Sequence, residues 1–478
     1  MGKKSYSCDK CGKSFKQKSH YDKHCQRKTP CDKTYKSIDE IIDKKVDEKL
    51  KLLLSVENLN NNKNNSENSE NNNKNNSENS ENNNKIITEN SENINKIITE
   101  NSENINKIIT ENSENKLNMK TAISLFSGMG GDSHGIINAG YKLLAYSEFV
   151  ECFRKSHDLN FKDCKLLGAS YKSDISKIPD EEFLEYQDKV DLLFAGFPCQ
   201  GFSQAGKKLP DDPRNTLFRE FLRATKLIRP KYIIGENVKG LLSRKNHEGV
   251  KYIDIIVGEF EKLDYNIEYK VMKANLHGVP QNRHRLIIVG IYKDIATDKP
   301  YEFPEEIVDE SLNLKNIVTY SMEGAIKMEK DDFDFSTIPD ECILKNMECI
   351  KEEIIEGNGK PHPNLKLLAK QRDYVYNDKP YPHRLNFGKR IPVGGEIIDI
   401  RKPLNTIICT YARQPRFFVP LQNKNGYYLR CLLPDELKQI QGFPADFQIH
   451  GDSGKKIIQI GNAVPPPLIQ TVINNLYL

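Results

Sequence analysis

The chain has 478 residues, 29% of them charged and 37% hydrophobic, with a formal net charge of +4 and 11 cysteines. One core does not sustain that length, because single cores stop growing near about 250–300 residues. No apolar run approaches the ~20 residues that span a bilayer, the polar start has no signal-peptide pattern, and an odd cysteine count without a secretion signal points to reduced thiols and metal ligation, so an intracellular chain is expected.

Residues 1–36 carry eleven Lys/Arg against three Asp, a basic arm suited to nucleic acid. Cys8, Cys11 and His24 have the spacing of the first three ligands of a zinc finger, with Phe15 and Tyr21 where its small core would sit. The segment resembles a two-cysteine, two-histidine finger with an altered last ligand. Position 28 is lysine, and Cys31 is the best substitute, ahead of Cys25 and His20. DNA binding and recruitment of a partner protein are both open roles for it.

Residues 37–57 place Ile38, Ile41, Ile42, Val46, Leu50, Leu53 and Val56 at helical spacing. Residues 58–118 repeat every eleven residues, with Lys63, Lys74, Lys85, Lys96 and Lys107 marking the register. Such Asn-rich sequence has little apolar surface to bury and reads as a disordered linker. Its second half, where isoleucine recurs with the same period, has a second reading as an oligomerising helix through residues 37–118.

From Met119 onward strands and helices alternate, which predicts a parallel, doubly wound sheet with its ligand site at the carboxyl ends of the strands. Strands are expected at Thr121–Phe126 and Leu143–Ser147, with further strand ends at Asp174, Gly196, Gly235 and Gly290. The turn Phe126-Ser127-Gly128-Met129-Gly130-Gly131 allows close approach of a ligand to the backbone. Glu148 at the next strand end is placed to accept from ribose hydroxyls, Phe149 to stack on adenine, and Asp174-Ile175 to meet the adenine amino group. This suits a nucleoside ligand without a pyrophosphate, such as S-adenosylmethionine.

Three further segments carry chemistry: Phe197-Pro198-Cys199-Gln200-Gly201-Phe202-Ser203, Glu236-Asn237-Val238, and Gly278-Val279-Pro280-Gln281-Asn282-Arg283-His284-Arg285. With Leu125–Gly131, Arg214–Phe218, Gln441–Pro444 and Gly461–Pro466, in this order, they resemble the DNA (cytosine-5) methyltransferase family over roughly residues 121–478. Ser124 departs from the pattern, since the family usually has an acid before Leu-Phe, and this leaves one loop-bracing contact open.

The resemblance implies a Rossmann-like S-adenosylmethionine-dependent methyltransferase fold with a smaller target-recognition domain. It places the catalytic domain at 119–290, target recognition at 291–400, and the rest of the catalytic domain at 401–478. Cys199 would attack C6 of a cytosine, since thiolate addition turns C5 into a nucleophile. Glu236 would hydrogen-bond or protonate N3 from a buried site. Arg285 would reach the base or the active-site backbone, Arg283 would hold the base carbonyl or a phosphate, and Asn237 would brace the loop. Asn462, Val464, Gly128, Gly130 and Pro198 are expected at the cofactor, with Leu217 and Phe126 against its adenosine. The resemblance implies double-stranded DNA as the partner, and since this chemistry cannot occur in a stacked duplex, the base must be flipped out. Base reading is expected in the basic, aromatic stretch from Gln371 to Arg390. The competing readings are a tRNA cytosine-5 methyltransferase and an inert sequence-specific DNA-binding protein.

Overall fold

The computed structural model describes residues 119–198, 217–295, 300–350, 360–370, 372–376, 379–389 and 394–476, together with the strand residues 6–7 and 14–15. The expected helix at 37–57, the repeat block, Cys8, Cys11, His24, Cys31 and Cys199 lie outside the described residues. The chain divides into two units, residues 1–109 and 110–478. In the first, β1 (Tyr6–Ser7) pairs antiparallel with β2 (Ser14–Phe15), Tyr6 opposite Phe15.

The second unit is built on a seven-stranded sheet. In chain order it comprises β3 (Thr121–Leu125), α1 (Gly131–Asn138), β4 (Lys142–Tyr146), α2 (Glu151–Asn160), β5 (Lys165–Leu166), α3 (Asp180–Leu184), β6 (Leu192–Ala195), α4 (Phe218–Ile228), β7 (Tyr232–Val238), α5 (Tyr252–Glu261), β8 (Tyr265–Lys273), β9 (Gln281–Asn282) and β10 (His284–Tyr292), with β9 outside the sheet. The strand order is β5-β4-β3-β6-β7-β10-β8. The apolar runs at β6 and β7 form central strands because helices cover both faces of the sheet. Ile136 of α1 packs with Leu192, Phe194, Ile234 and Val289 on one face. Phe221 and Ile228 of α4, with Ile256 and Phe260 of α5, pack with Ile123, Leu193, Ile233 and Ile288 on the other.

Three expectations need correction. The sheet is not wholly parallel, because β10 runs antiparallel to both β7 and β8. Gly235 and Gly290 lie inside strands rather than at their ends. A Cβ on Gly290 would come within 2.5 Å of Ile233 Cγ1 and 2.7 Å of Ile267 Cδ1, so the glycine makes room for the isoleucines beside it. Asp174 does not end a strand. Lys172 and Ser173 have φ of 57° and 55°, which turns the chain, and Asp174 caps a single 3₁₀ turn through Ser176 N–H. The third strand of the series is the short β5.

The remaining chain gives β11 (Ile326–Met328), β12 (Leu344–Asn346), α6 (Pro363–Lys370), β13 (Arg372–Tyr376), β14 (Lys379–His383), β15 (Leu385–Phe387), β16 (Gly395–Ile397), β17 (Leu404–Asn405), β18 (Phe417–Asn423), β19 (Gly426–Cys431), α7 (Pro434–Ile440), α8 (Ser453–Asn462) and α9 (Pro466–Asn474). A second sheet takes the order β11-β19-β18-β16-β15, with β12 on β18. Its strands run past residue 400, where the sequence motifs suggest a return to the catalytic domain. Helix α9 comes back to the first sheet, with Leu468, Ile469 and Val472 in the core beside Ile136. Among the described residues no helix is long and apolar enough to cross a membrane.

Candidate active site

The strand order reverses between β3 and β6, and in open α/β sheets the ligand crevice lies outside the carboxyl ends at such a point. Three segments distant in sequence meet there. A Cβ built on Gly196 would lie 3.7 Å from Phe126 O and 3.9 Å from Val464 Cγ2. The turn after β3 has φ of 57° at Phe126, 60° at Gly128 and 97° at Gly130. The two glycines do different work. A Cβ on Gly128 would project into open space, so this is where a ligand can approach. A Cβ on Gly130 would meet Phe161 Cε2 at 2.3 Å, so the packed Phe161 ring requires glycine there.

Gly131 is tighter still, its Cβ position being 2.1 Å from Val464 O. Gly131→Ala should therefore displace the Val464 main chain, cost about 1–3 kcal/mol in a thermal unfolding measurement and weaken cofactor binding.

Glu148 faces the turn. Its Oε2 accepts Gly128 N–H at 2.9 Å and its Oε1 accepts Val150 N–H at 2.6 Å. Burial raises its pKa above the usual glutamate range, against those two N–H groups, which lower it. Phe149 beside it is 63% exposed, an aromatic surface without cover among the described residues. Ser173 Oγ accepts Glu148 N–H at 3.0 Å, which brings Asp174 and Ile175 to the same rim. Ile175 is buried and Pro198 and Leu217 are half-buried, while Asn462 is exposed and Val464 buried. Two arginines that carry no sequence signal set this rim. Arg154 Nη1 donates to Glu148 O, Phe149 O and Lys172 O at 2.9, 2.6 and 2.9 Å. Arg223 donates to Ile175 O and Ile178 O at 2.8 and 3.0 Å.

Beneath the turn lies a buried carboxyl that the motifs also leave unmarked. Asp132 receives Ser127 Oγ at 3.2 Å and, more closely, Ser124 Oγ. Burial raises its pKa from 3.8 to about 7, opposed by those hydroxyls and by backbone N–H groups. In the unfolded chain the group ionises near 3.8, so between about pH 4 and 7 the folded state holds the extra proton. Its contribution is therefore fully present below pH 4 and is lost as pH rises through 7, roughly 4 kcal/mol in all. Because burial lowers the His157 pKa to about 3 and so pulls the wild-type slope the other way, the test is the difference between variants: across that window Asp132→Asn should gain stability relative to the wild type as pH rises, read by thermal scans of both.

The chemistry-bearing side chains come from the strands beyond β6. Glu236 sits at the carboxyl end of β7, 8% exposed, with Arg285 Nε 2.7 Å from its Oε1. Because β10 is antiparallel, its first residues reach the carboxyl rim of β7, and Arg285 stands opposite Val238. Asn237 Nδ2 donates to Phe197 O at 3.2 Å, so it braces the backbone two residues before Cys199.

Arg283 departs from its expected part. It is 1% exposed, and its Nη1 donates to Ile407 O at 2.8 Å while Nη2 donates to Gly461 O and Ala463 O, both at 3.0 Å. A guanidinium so committed ties segments together rather than holding a base carbonyl or phosphate. Gln281 accepts Ile407 N–H at 3.0 Å and donates to Gln441 Oε1 at 2.6 Å, and Gln441 in turn donates to Ala463 O at 2.5 Å. The Gln-Asn-Arg, Gln-Gly-Phe-Pro and Gly-Asn-Ala-Val segments are thus one buried hydrogen-bonded joint. Beside it, Leu404 of β17 pairs with Gln281 of β9.

This sheet order, with a glycine turn at its switch point and an acid–arginine pair on the same rim, defines an α/β methyltransferase fold. A family model for the C-5 cytosine-specific DNA methylases matches residues 120–477. The type II methyltransferase M.Eco47II of Escherichia coli is 31% identical over 360 residues, which cover 73% of this chain and 76% of the relative. M1.HphI of Haemophilus parahaemolyticus is 31% identical over 364 residues, 74% and 85%. M.FnuDI of Fusobacterium nucleatum is 30% identical over 359 residues, 74% and 93%. The chain belongs to the C-5 cytosine-specific DNA methylase family and is a DNA cytosine-5 methyltransferase. S-adenosylmethionine is the cofactor expected of that family.

Proposed function

We propose that the protein methylates C5 of a cytosine flipped out of a specific double-stranded DNA sequence, with Cys199 as nucleophile. The observation that carries this reading is the Glu236–Arg285 pair, on the same rim as the Phe197 backbone that leads to Cys199. The Cys199 thiolate adds to C6 of the base, which makes C5 nucleophilic; once C5 carries the methyl group, loss of the C5 proton to a water or neighbouring base expels the thiolate from C6 and restores the ring. Glu236 hydrogen-bonds or protonates N3, and Arg285 holds the Glu236 carboxylate toward the base.

The crevice fits S-adenosylmethionine, because Gly128 leaves room for a ligand and the Glu148 carboxyl stands next to it. When bound, the cofactor supplies an electrophilic methyl group on a sulfonium. Glu148, Phe149, Asp174 and Ile175, with Leu217 and Phe126, would hold its adenosine. Gly128, Gly130, Pro198, Asn462 and Val464 would complete the cofactor site.

Residues 291–400 are the target-recognition domain, built on part of the second sheet. Support comes from the separate hairpin β13–β14 within that segment, where Arg372 stands opposite His383, Tyr374 opposite Tyr381 and Tyr376 opposite Lys379. The surrounding sequence from Gln371 to Arg390 is basic and aromatic, a composition suited to phosphates and bases. At the N-terminus, Cys8, Cys11, His24 and Cys31 are a zinc donor set, and Cys8 and Cys11 fall in the connection between the paired strands β1 and β2. Zinc there would fold a segment too small to build a core.

Incubation of the full chain with S-adenosylmethionine and a random-sequence duplex library, followed by bisulfite sequencing, should show conversion-resistant cytosines in one recurring context. Cys199→Ser should abolish the signal and still bind S-adenosylhomocysteine. Methylation of tRNA with none of DNA would overturn the reading, as would full activity of the serine variant.

A further inference from the structure

Three positive φ values within five residues make the turn at 126–130 an unusual backbone, and such a conformation persists only where its surroundings over-determine it. From outside it is held by Ser127 N–H on Ser147 O at 2.9 Å, Phe126 N–H on Ser147 Oγ at 3.3 Å, and Gly128 N–H on Glu148. From beneath it is held by Asp132, in the first turn of α1. Its carboxyl takes hydroxyls from Ser124, the fourth residue of β3, and from Ser127, within the turn itself. One group therefore joins the strand, the turn and the helix. Its partners among the described residues are hydroxyls and N–H groups rather than a cation, so the geometry of the three elements decides how well the carboxyl is satisfied. The site extends through Ser133, whose Oγ lies 2.8 Å from Ser127 Oγ and 3.0 Å from His157 Nε2 of α2. His157 stacks on Tyr146 at 3.6 Å, and burial lowers its pKa to about 3, so it faces the network neutral. Cys164, whose pKa burial raises to about 12, is also neutral.

Ser124 occupies the place where an acid would brace this turn from the strand. We propose that Asp132 is the positioning residue of the cofactor turn, supplying from the helix the carboxylate that an acid at position 124 would supply from the strand. This rests on the cofactor reading given above. Asp132 itself touches no cofactor. It sets the turn whose open side, at Gly128, receives one. Because the Ser124 hydroxyl already reaches the Asp132 carboxyl, an aspartate at 124 would deliver its own carboxylate to the same spot once Asp132 is removed.

The test uses the full chain as wild type, Asp132→Ala, and the double variant Ser124→Asp/Asp132→Ala. The readouts are calorimetric binding of S-adenosylhomocysteine, thermal melting, and kcat at saturating cofactor. Asp132→Ala should weaken binding about tenfold or more, the scale of losing buried hydrogen bonds to a carboxylate, while kcat stays within about threefold. The double variant should recover most of the affinity. Wild-type binding of the folded alanine variant would overturn the proposal, and so would a double variant that stays as weak as the single one. Should the alanine variant fail to fold, the double variant decides alone: folded with wild-type affinity it supports the transposed brace, and unfolded or weak it refutes it. A wild-type chain that does not bind S-adenosylhomocysteine would instead refute the cofactor reading.

Discussion

Methyl transfer should fall about 10²–10⁴-fold in a Glu236→Gln variant, with little change in melting temperature. Glutamine keeps the shape of the side chain and can still accept from Arg285. It cannot deliver a proton to the ring nitrogen of the base, so what is lost is the step that makes C6 electrophilic. The geometry favours this over a purely structural part. Glu236 is mostly buried at the rim of β7, and its carboxylate is held by one arginine from the antiparallel neighbour. A structural ion pair would behave in the opposite way, lowering the melting temperature and leaving initial rates near wild type. Rates with labelled cofactor, measured beside thermal melts of the same preparations, distinguish the two.

Arg430→Met should lower unfolding stability by about 3–5 kcal/mol, out of a total that is typically about 5–15. Arg430 is fully buried and grips Glu436 through two bonds, Nη1 to Oε2 at 2.8 Å and Nη2 to Oε1 at 2.6 Å. The same carboxylate accepts Leu433 N–H at 2.8 Å, which caps α7, and Thr319 N–H at 3.2 Å, while Arg430 Nη2 also donates to Thr319 O. Removing the cation leaves a buried carboxylate with no counter-charge, and that desolvation dominates the loss. Adding Glu436→Gln should recover part of it, because the unpaired charge goes too. Denaturant unfolding of the two variants reads both effects. A loss under about 1 kcal/mol for the single variant would mean that water reaches the pair, as at an exposed ion pair.

The strands at the centre of the first sheet were legible because burial on both faces demands unbroken apolar runs, as at Leu192–Ala195 and Tyr232–Ile234. The Gly128 turn and the Glu236 rim were legible because chemistry needs particular residue types at strand ends. What could not be read depends on contacts between residues far apart in the chain. Gly290 looked like a stop signal, and only the flanking Ile233 and Ile267 explain why it belongs inside a strand. Arg283 matched a motif, but the carbonyls it serves come from residues 407, 461 and 463. Asp132 and Arg154 left no local pattern, since a side chain that binds main-chain atoms or hydroxyls across a fold has no required spacing. The direction of β10 was hidden for the same reason, because an apolar run is identical read either way.

The strand pair between Gln281–Asn282 and Leu404–Asn405 pins the inserted chain beside the buried joint, and β18 and β19 carry part of the second sheet beyond that pin. This fixes where the polypeptide can be recombined with a relative's. A chimaera joined at residue 400 would leave the host's Phe417–Cys431 to zip against foreign strands. Junctions after Tyr292 and at Leu433 would instead move the whole sheet as a cassette, provided the graft keeps a carbonyl where Ile407 now meets Arg283 and an arginine where Arg430 now grips Glu436.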